Sequence, residues 1–176
     1  IHTMDITQAF LYGDMDEDVY VRPPPGVCHG GKAGQVWKLR KSLYGTKQAP
    51  AIWQTKLADT LRELNVHPTK CDPSVFQRQE GEDRIYVGIH VDDLLIVSTS
   101  EQMLNDFKTN IKAKFKLRDQ GSIHDSEYLG THTQYDQSKG VLHISNDRKV
   151  EQLLSDHGYE QAKPADSPAV VLSDRD

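Results

Sequence analysis

Two apolar runs, Ile85-Tyr86-Val87-Gly88-Ile89-His90-Val91 and Leu94-Leu95-Ile96-Val97, flank the adjacent pair Asp92-Asp93. Runs so rich in Val, Ile and Leu belong inside a sheet, and two of them separated by polar residues read as a β-hairpin. Its tip carries two carboxylates that are costly to bury unpaired, and a bound cation is the simplest compensation. The tip lacks Asn-Gly or Asp-Gly, so strain is expected in the backbone at Val91 and Asp92. Taken alone, Asp-Asp also reads as an ordinary acidic turn. The rest of the chain decides between the two.

With 176 residues, the chain is long enough for one compact domain with a real core, although its hydrophobic content is only 36%. A net charge of −5 argues against gripping nucleic acid through bulk positive charge, so any basic surface must be local. There is no 18-residue apolar run and no charged-then-apolar leader. The expectation is an intracellular protein, in a cytoplasmic particle or the nucleus, with no membrane partner. Cys28 and Cys71 stand alone and the histidines are scattered, which argues against structural zinc.

The chain begins at Ile1-His2-Thr3-Met4-Asp5-Ile6, which reads as the middle of a strand, so a fragment of a longer polypeptide is expected. Asp5 falls at that strand's end, where a turn or short helix starts beside exposed backbone N–H groups. This suits a phosphate ligand with metal, although a lone Asp there also serves as a helix cap. The stretch from Gly26 to Ala33 nearly spells a phosphate-cradling P-loop. However, Ala33 replaces the magnesium-binding hydroxyl and prolines precede it in place of a buried strand, so a P-loop is rejected.

Gln35 to Leu39 alternates as a strand, and Pro50 suits the first turn of a helix in which Trp53, Leu57, Leu61 and Leu64 form one apolar stripe. That stripe is read as core. Thr99 with Gln102, or Ser98 with Glu101, offers a capping box for a helix carrying Leu104, Phe107, Ile111 and Phe115. Glu127 to Tyr135 and Gly140 to Ile144 read as a second hairpin. A last amphipathic helix, with Val150, Leu153, Leu154 and His157, begins at Asn146 and stops at Gly158. Residues 162–176, with Pro164 and Pro168, read as a linker or tail.

Asp5, Asp92 and Asp93 all read as strand ends, and strand–helix–hairpin order allows their strands to lie side by side, which would put the three acids together. Three carboxylates in one site repel one another and raise each other's pKa unless divalent cations compensate. Two magnesium or manganese ions on such a cluster suit in-line phosphoryl transfer, the chemistry of nucleotide addition.

Asp5-Ile6-Thr7-Gln8-Ala9-Phe10-Leu11-Tyr12-Gly13-Asp14, Val19 to Gly26, Ser42-Leu43-Tyr44-Gly45-Thr46-Lys47-Gln48-Ala49-Pro50, Val91-Asp92-Asp93, Tyr128-Leu129-Gly130 and Lys163-Pro164 follow one another in order. In this the chain resembles copia-type retrotransposon reverse transcriptases from Asp5 to Pro168. The resemblance implies an α+β fold, a polymerase palm-like antiparallel sheet with helices on one face, over residues 1–161 with the start of the thumb or connection.

It further implies catalytic roles for Asp5, Asp92 and Asp93, and metal contacts from these three and Ile6. Thr7, Gln8, Ala9, Phe10, Tyr44, Gly45 and Lys47 become nucleotide-binding residues, with Phe10 as the gate against a ribose 2′-hydroxyl. His90, Tyr128, Leu129 and Gly130 become primer-positioning residues. The implied partners are an RNA or DNA template with its primer, a dNTP, and the fingers, thumb and RNase H of a parent polyprotein.

Two positions depart from the family pattern. His90 stands where Tyr is usual, and Arg118 lies near where Lys is usual, a poor acid in place of a better one. The reading is an RNA-directed DNA polymerase palm, inactive as a fragment. Its competitor is a non-catalytic remnant serving in binding or assembly.

Overall fold

The computed structural model describes residues 1–24 and 35–163. The P-loop-like stretch and most of the proline-containing tail lie outside the described residues. The chain divides into two compact units, Ile1–Ser122 and 123–176. Among the described residues, no strand after Ser122 joins the main sheet.

The first unit starts with β1 (His2–Ile6) and a single 3-10 turn (Ala9–Tyr12), followed by the two-residue strands β2 (Tyr20–Val21) and β3 (Trp37–Lys38), which pair with each other. Helix α1 (Ala49–Glu63) follows, then β4 (His67–Pro68), β5 (Val75–Glu80), β6 (Asp83–His90), β7 (Asp93–Ser98), α2 (Glu101–Lys114) and β8 (Leu117–Ser122). The main sheet has the order β4-β5-β6-β7-β1-β8, and every pairing in it is antiparallel. The expected α+β class is what the structure shows.

Strand alternation gives this sheet two distinct faces. On one face Met4, Ile6, Ile85, Val87, Leu94 and Ile96 are fully buried, together with Trp53, Leu57 and Leu61 of α1 and Phe107 and Ile111 of α2. Each large side chain buried there contributes about 1.5–3 kcal/mol. The other face carries Asp5, His90, Asp93 and Val97, all half-buried or exposed. The apolar periodicity of both helices places them on the core face, leaving the charged face open.

Two local expectations are corrected. The cap of α2 is Ser100, whose hydroxyl accepts from the Met103 N–H at 3.4 Å, and neither Ser98 nor Thr99 occupies that position. Ser98 instead donates to the Ser100 carbonyl and holds the turn before the helix. In the second unit the strand expected over Glu127–Tyr135 is broken. Leu129 and Gly130, at φ 50° and 75°, form a tight turn between β9 (Asp125–Tyr128) and β10 (Thr131–Asp136). β10 pairs in turn with β11 (Val141–Ser145), giving a three-stranded sheet, and α3 (Asp147–Asp156) follows with Val150 and Leu153 exposed.

Candidate active site

Antiparallel register builds the site. Asp5 of β1 pairs directly with Asp93 of β7, Asp93 pairs with His90 of β6, and Asp5 pairs on its other side with Arg118 of β8. Directly paired residues project to the same face, so His90, Asp93, Asp5 and Arg118 form one row across four strands. Two carboxylates lie at its centre and a basic side chain at each end. Asp92 sits in the two-residue turn beside this row, and its carbonyl accepts from the Ile6 N–H at 2.8 Å. The end of β1 is thereby tied to the hairpin tip by main-chain bonding.

The three aspartates share one field. The Asp93 carboxyl is pushed above its ordinary value by partial burial and by the charges of Asp92 and Asp5, while His90 pulls it the other way. The Tyr44 hydroxyl is likewise raised, first by burial and then by Asp92 and Asp5, which places Tyr44 within reach of the same negative charge. None of the three carboxylates makes an ion pair or a side-chain hydrogen bond among the described residues. Nor do any three His, Cys, Asp or Glu side chains among these residues form a gathered metal cage. The main chain, not cross-linked side chains, brings the acids together. Asp5, Asp92 and Asp93 present hard oxygen donors on this side of the sheet, and His90 and Arg118 flank Asp93 and Asp5 in the same row.

The expected nucleotide-binding stretch leaves β1 through Thr7, whose N–H donates to Lys116 O at 2.9 Å. Gln8 then turns the chain with φ 56°, Ala9 is buried, and Phe10 follows. The Phe10 ring lies 4.6 Å from that of Tyr44, tilted by 51°. Tyr44 is half exposed and Gly45 adopts φ 94°, a left-handed conformation that favours glycine, in the turn that leads into α1. Lys47 is exposed on the same segment. Asp5, Ile6, Phe10, Tyr44, Asp92 and Asp93 are therefore brought into one region. Tyr128, Leu129 and Gly130 form the β9–β10 turn of the second unit, with Leu129 exposed at its tip.

Three supporting residues were not read from the sequence as part of the site. Ser42, fully buried, donates to the Phe10 carbonyl and fixes the corner between Phe10 and Tyr44. Tyr12 accepts from the Lys116 N–H at 2.7 Å, and its ring joins those of Trp53 and Phe115. Trp53 donates to the Val91 carbonyl at 2.6 Å. Its signal was the indole N–H within an apolar stripe, a donor that needs an acceptor once buried.

An antiparallel sheet with acidic strand ends on its open face and helices on the other defines a polymerase palm-like domain. The family model for reverse transcriptase (RNA-dependent DNA polymerase) matches residues 1–171, and the chain belongs to that family. It is 33% identical over 96% of its length to the retrovirus-related Pol polyprotein from transposon RE1 of Arabidopsis thaliana, and 31% identical over 96% to that from transposon TNT 1-94 of Nicotiana tabacum. It is 27% identical over 94% to a putative transposon Ty5-1 protein of Saccharomyces cerevisiae. The chain spans 11%, 13% and 53% of those relatives' lengths, and its relationships are copia-type. No described helix is long and apolar enough to cross a membrane.

Proposed function

We propose that this chain is the catalytic palm of an RNA-directed DNA polymerase, adding deoxynucleotides to a primer 3′-hydroxyl within a larger Pol polyprotein. The observation that carries the reading is the direct pairing of Asp5 with Asp93, with Asp92 tied to Ile6 beside them. Asp5, Asp92 and Asp93, with the backbone of Ile6, are the groups to hold two magnesium or manganese ions. When bound, such ions lower the pKa of an attacking hydroxyl and stabilise a leaving pyrophosphate.

The chain's own residues do the positioning. Past Thr7, whose N–H is already bonded to Lys116, the backbone of Gln8 and Ala9 follows Asp5 closely, where a triphosphate's oxygens can be received, and exposed Lys47 supplies positive charge. Phe10 and Tyr44 form a packed aromatic corner against which the sugar and base rest. His90, opposite Asp93, and the Tyr128-Leu129-Gly130 turn are assigned to the primer. The template, the dNTP and the remaining polymerase domains complete the assembly.

The test is primer extension by a polypeptide that carries this chain between its flanking polymerase segments. Asp5→Asn and Asp92→Asn are each expected to abolish extension while primer–template binding persists. Extension at the wild-type rate by Asp92→Asn rules out this mechanism. A wild-type protein that binds primer–template without extending it, in either metal, supports the non-catalytic binding role.

A further inference from the structure

The tip of the β6–β7 hairpin is held in an unfavourable conformation. Val91 has φ 56°, in the left-handed region that a β-branched side chain enters only at a cost, and its neighbours His90 and Asp93 are already paired across the turn. Side-chain packing does not explain this, because Val91 is 44% exposed and borders a cleft of about 540 Å³ that Phe10, Phe76 and Ile89 also line. What holds the tip is hydrogen bonding to two consecutive main-chain carbonyls, one donor from the main chain and one from a side chain. Ile6 N–H donates to Asp92 O, and the Trp53 indole donates to Val91 O at 2.6 Å.

Trp53 is itself rigid. It is 2% exposed, sits in the second turn of α1, and its ring packs edge-on against Phe115 at 5.3 Å. A fixed donor aimed at one carbonyl of a strained turn selects one peptide orientation.

We propose that Trp53 is a positioning residue, whose indole N–H locks the left-handed Val91 and thereby aims Asp92 and Asp93 at the metal-binding side of the sheet. The role rests on the polymerase reading for its purpose and on the Val91 geometry for its existence. A Trp that only fills the core shares the packing but has no dependence on the residue at position 91.

The experiment uses the whole chain with four variants: Trp53→Phe, Val91→Gly, the double variant, and a protein carrying 3-benzothienylalanine at 53. That last side chain keeps the bicyclic shape and loses only the donor, so it serves if Trp53→Phe fails to fold. The first readout is the intraresidue amide–Hα NOE of residue 91, which is strong at positive φ and weak in extended backbone. The second is Mn²⁺ affinity.

Loss of the donor is expected to weaken the NOE and lower Mn²⁺ affinity by roughly ten- to a hundredfold, the usual range for groups that orient ligands. Glycine adopts the left-handed conformation without cost, so Val91→Gly is expected to restore most of the affinity lost in Trp53→Phe. An unchanged NOE in the benzothienylalanine protein overturns the proposal, and so does a double variant no better than Trp53→Phe. A wild-type chain that binds no Mn²⁺ counts against the polymerase reading, and the NOE then decides the positioning role by itself.

Discussion

Asp5 and Asp93 stand directly opposite one another on β1 and β7, two carboxylates on the same face of one sheet with no basic side chain between them. Such a pair works against folding unless something positive joins it. The Asp93 carboxyl is raised above its ordinary value, first by partial burial and then by the charges of Asp92 and Asp5.

The first prediction follows from its sign. A carboxyl whose folded pKa lies above its unfolded value binds its proton more tightly in the native state, so the folded state is favoured at low pH and loses that advantage as pH rises through the folded pKa. Asp93→Asn should therefore raise the melting temperature at neutral pH, with the gain vanishing below the ordinary value of 3.8. Melting curves across pH for both proteins check it. Mn²⁺ should raise the melting temperature of the wild type and do so less for the variant.

The second prediction has the opposite sign. Burial alone would raise the Asp119 carboxyl, but hydrogen bonds from Lys112, Lys108 and the Gly121 N–H hold it down to about 2. These contacts tie β8 to α2. Their stabilisation is present above the unfolded value of 3.8 and is lost as pH falls through about 2. Asp119→Asn should lower the melting temperature at pH 7 and flatten the acid limb of the stability curve. High salt should shrink part of the difference, since Lys112 is half exposed while Lys108 is largely buried.

Much of this architecture is legible in the chain because strand alternation is a strong constraint. Ile85, Val87, Leu94 and Ile96 could only face a core, and that assignment puts Asp93 and His90 on the open side. Other features were hidden by competition between equivalent residues. Ser98, Thr99 and Ser100 are three hydroxyl residues in a row, and only the folded turn decides which of them caps α2. The break at Leu129 was masked because Leu is a poor candidate for positive φ. Trp53 was read as core, which it is. Its second role depends on a carbonyl 38 residues away that no local pattern reveals.

The third prediction concerns the corner beneath the Thr7–Phe10 segment. Gly13 has ordinary extended backbone, so its requirement is for space. A Cβ there meets the Ile52 side chain in hard overlap and comes within 2.8 Å of Ser42 Oγ. Gly13→Ala should cost about 1–3 kcal/mol, as overpacking of a close-packed site does. Ser42→Ala removes one of the two donors to the Phe10 carbonyl and leaves the Gly13 N–H at 3.1 Å in place, so it should cost less, about 1 kcal/mol. Urea unfolding of both variants measures this, and stability within error of wild type for Gly13→Ala would show that α1 yields freely at Ile52.

The fourth prediction addresses sugar choice, and it is measured in the longer polymerase polypeptide. Phe10 is half-buried, its carbonyl is pinned by Ser42, and its ring leans on Tyr44 at 4.6 Å, so its position is fixed from two sides. In the proposed polymerase, such a rigid ring beside the sugar would exclude a 2′-hydroxyl sterically, and discrimination of that kind disappears when the blocking group is removed. Phe10→Ala should keep deoxynucleotide incorporation and raise ribonucleotide use, changing the ratio of the two kcat/KM values by roughly 10–200-fold, the scale of a small steric discriminator. Tyr44→Phe is the control, because it keeps the aromatic contact and removes only the hydroxyl that feels Asp92 and Asp5, so the sugar ratio should stay near wild type. If Phe10→Ala leaves the ratio unchanged while lowering stability, Phe10 is a packing residue and the gate lies elsewhere. If Tyr44→Phe shifts the ratio as strongly as Phe10→Ala, selection resides in the hydroxyl and its field, and the steric account fails.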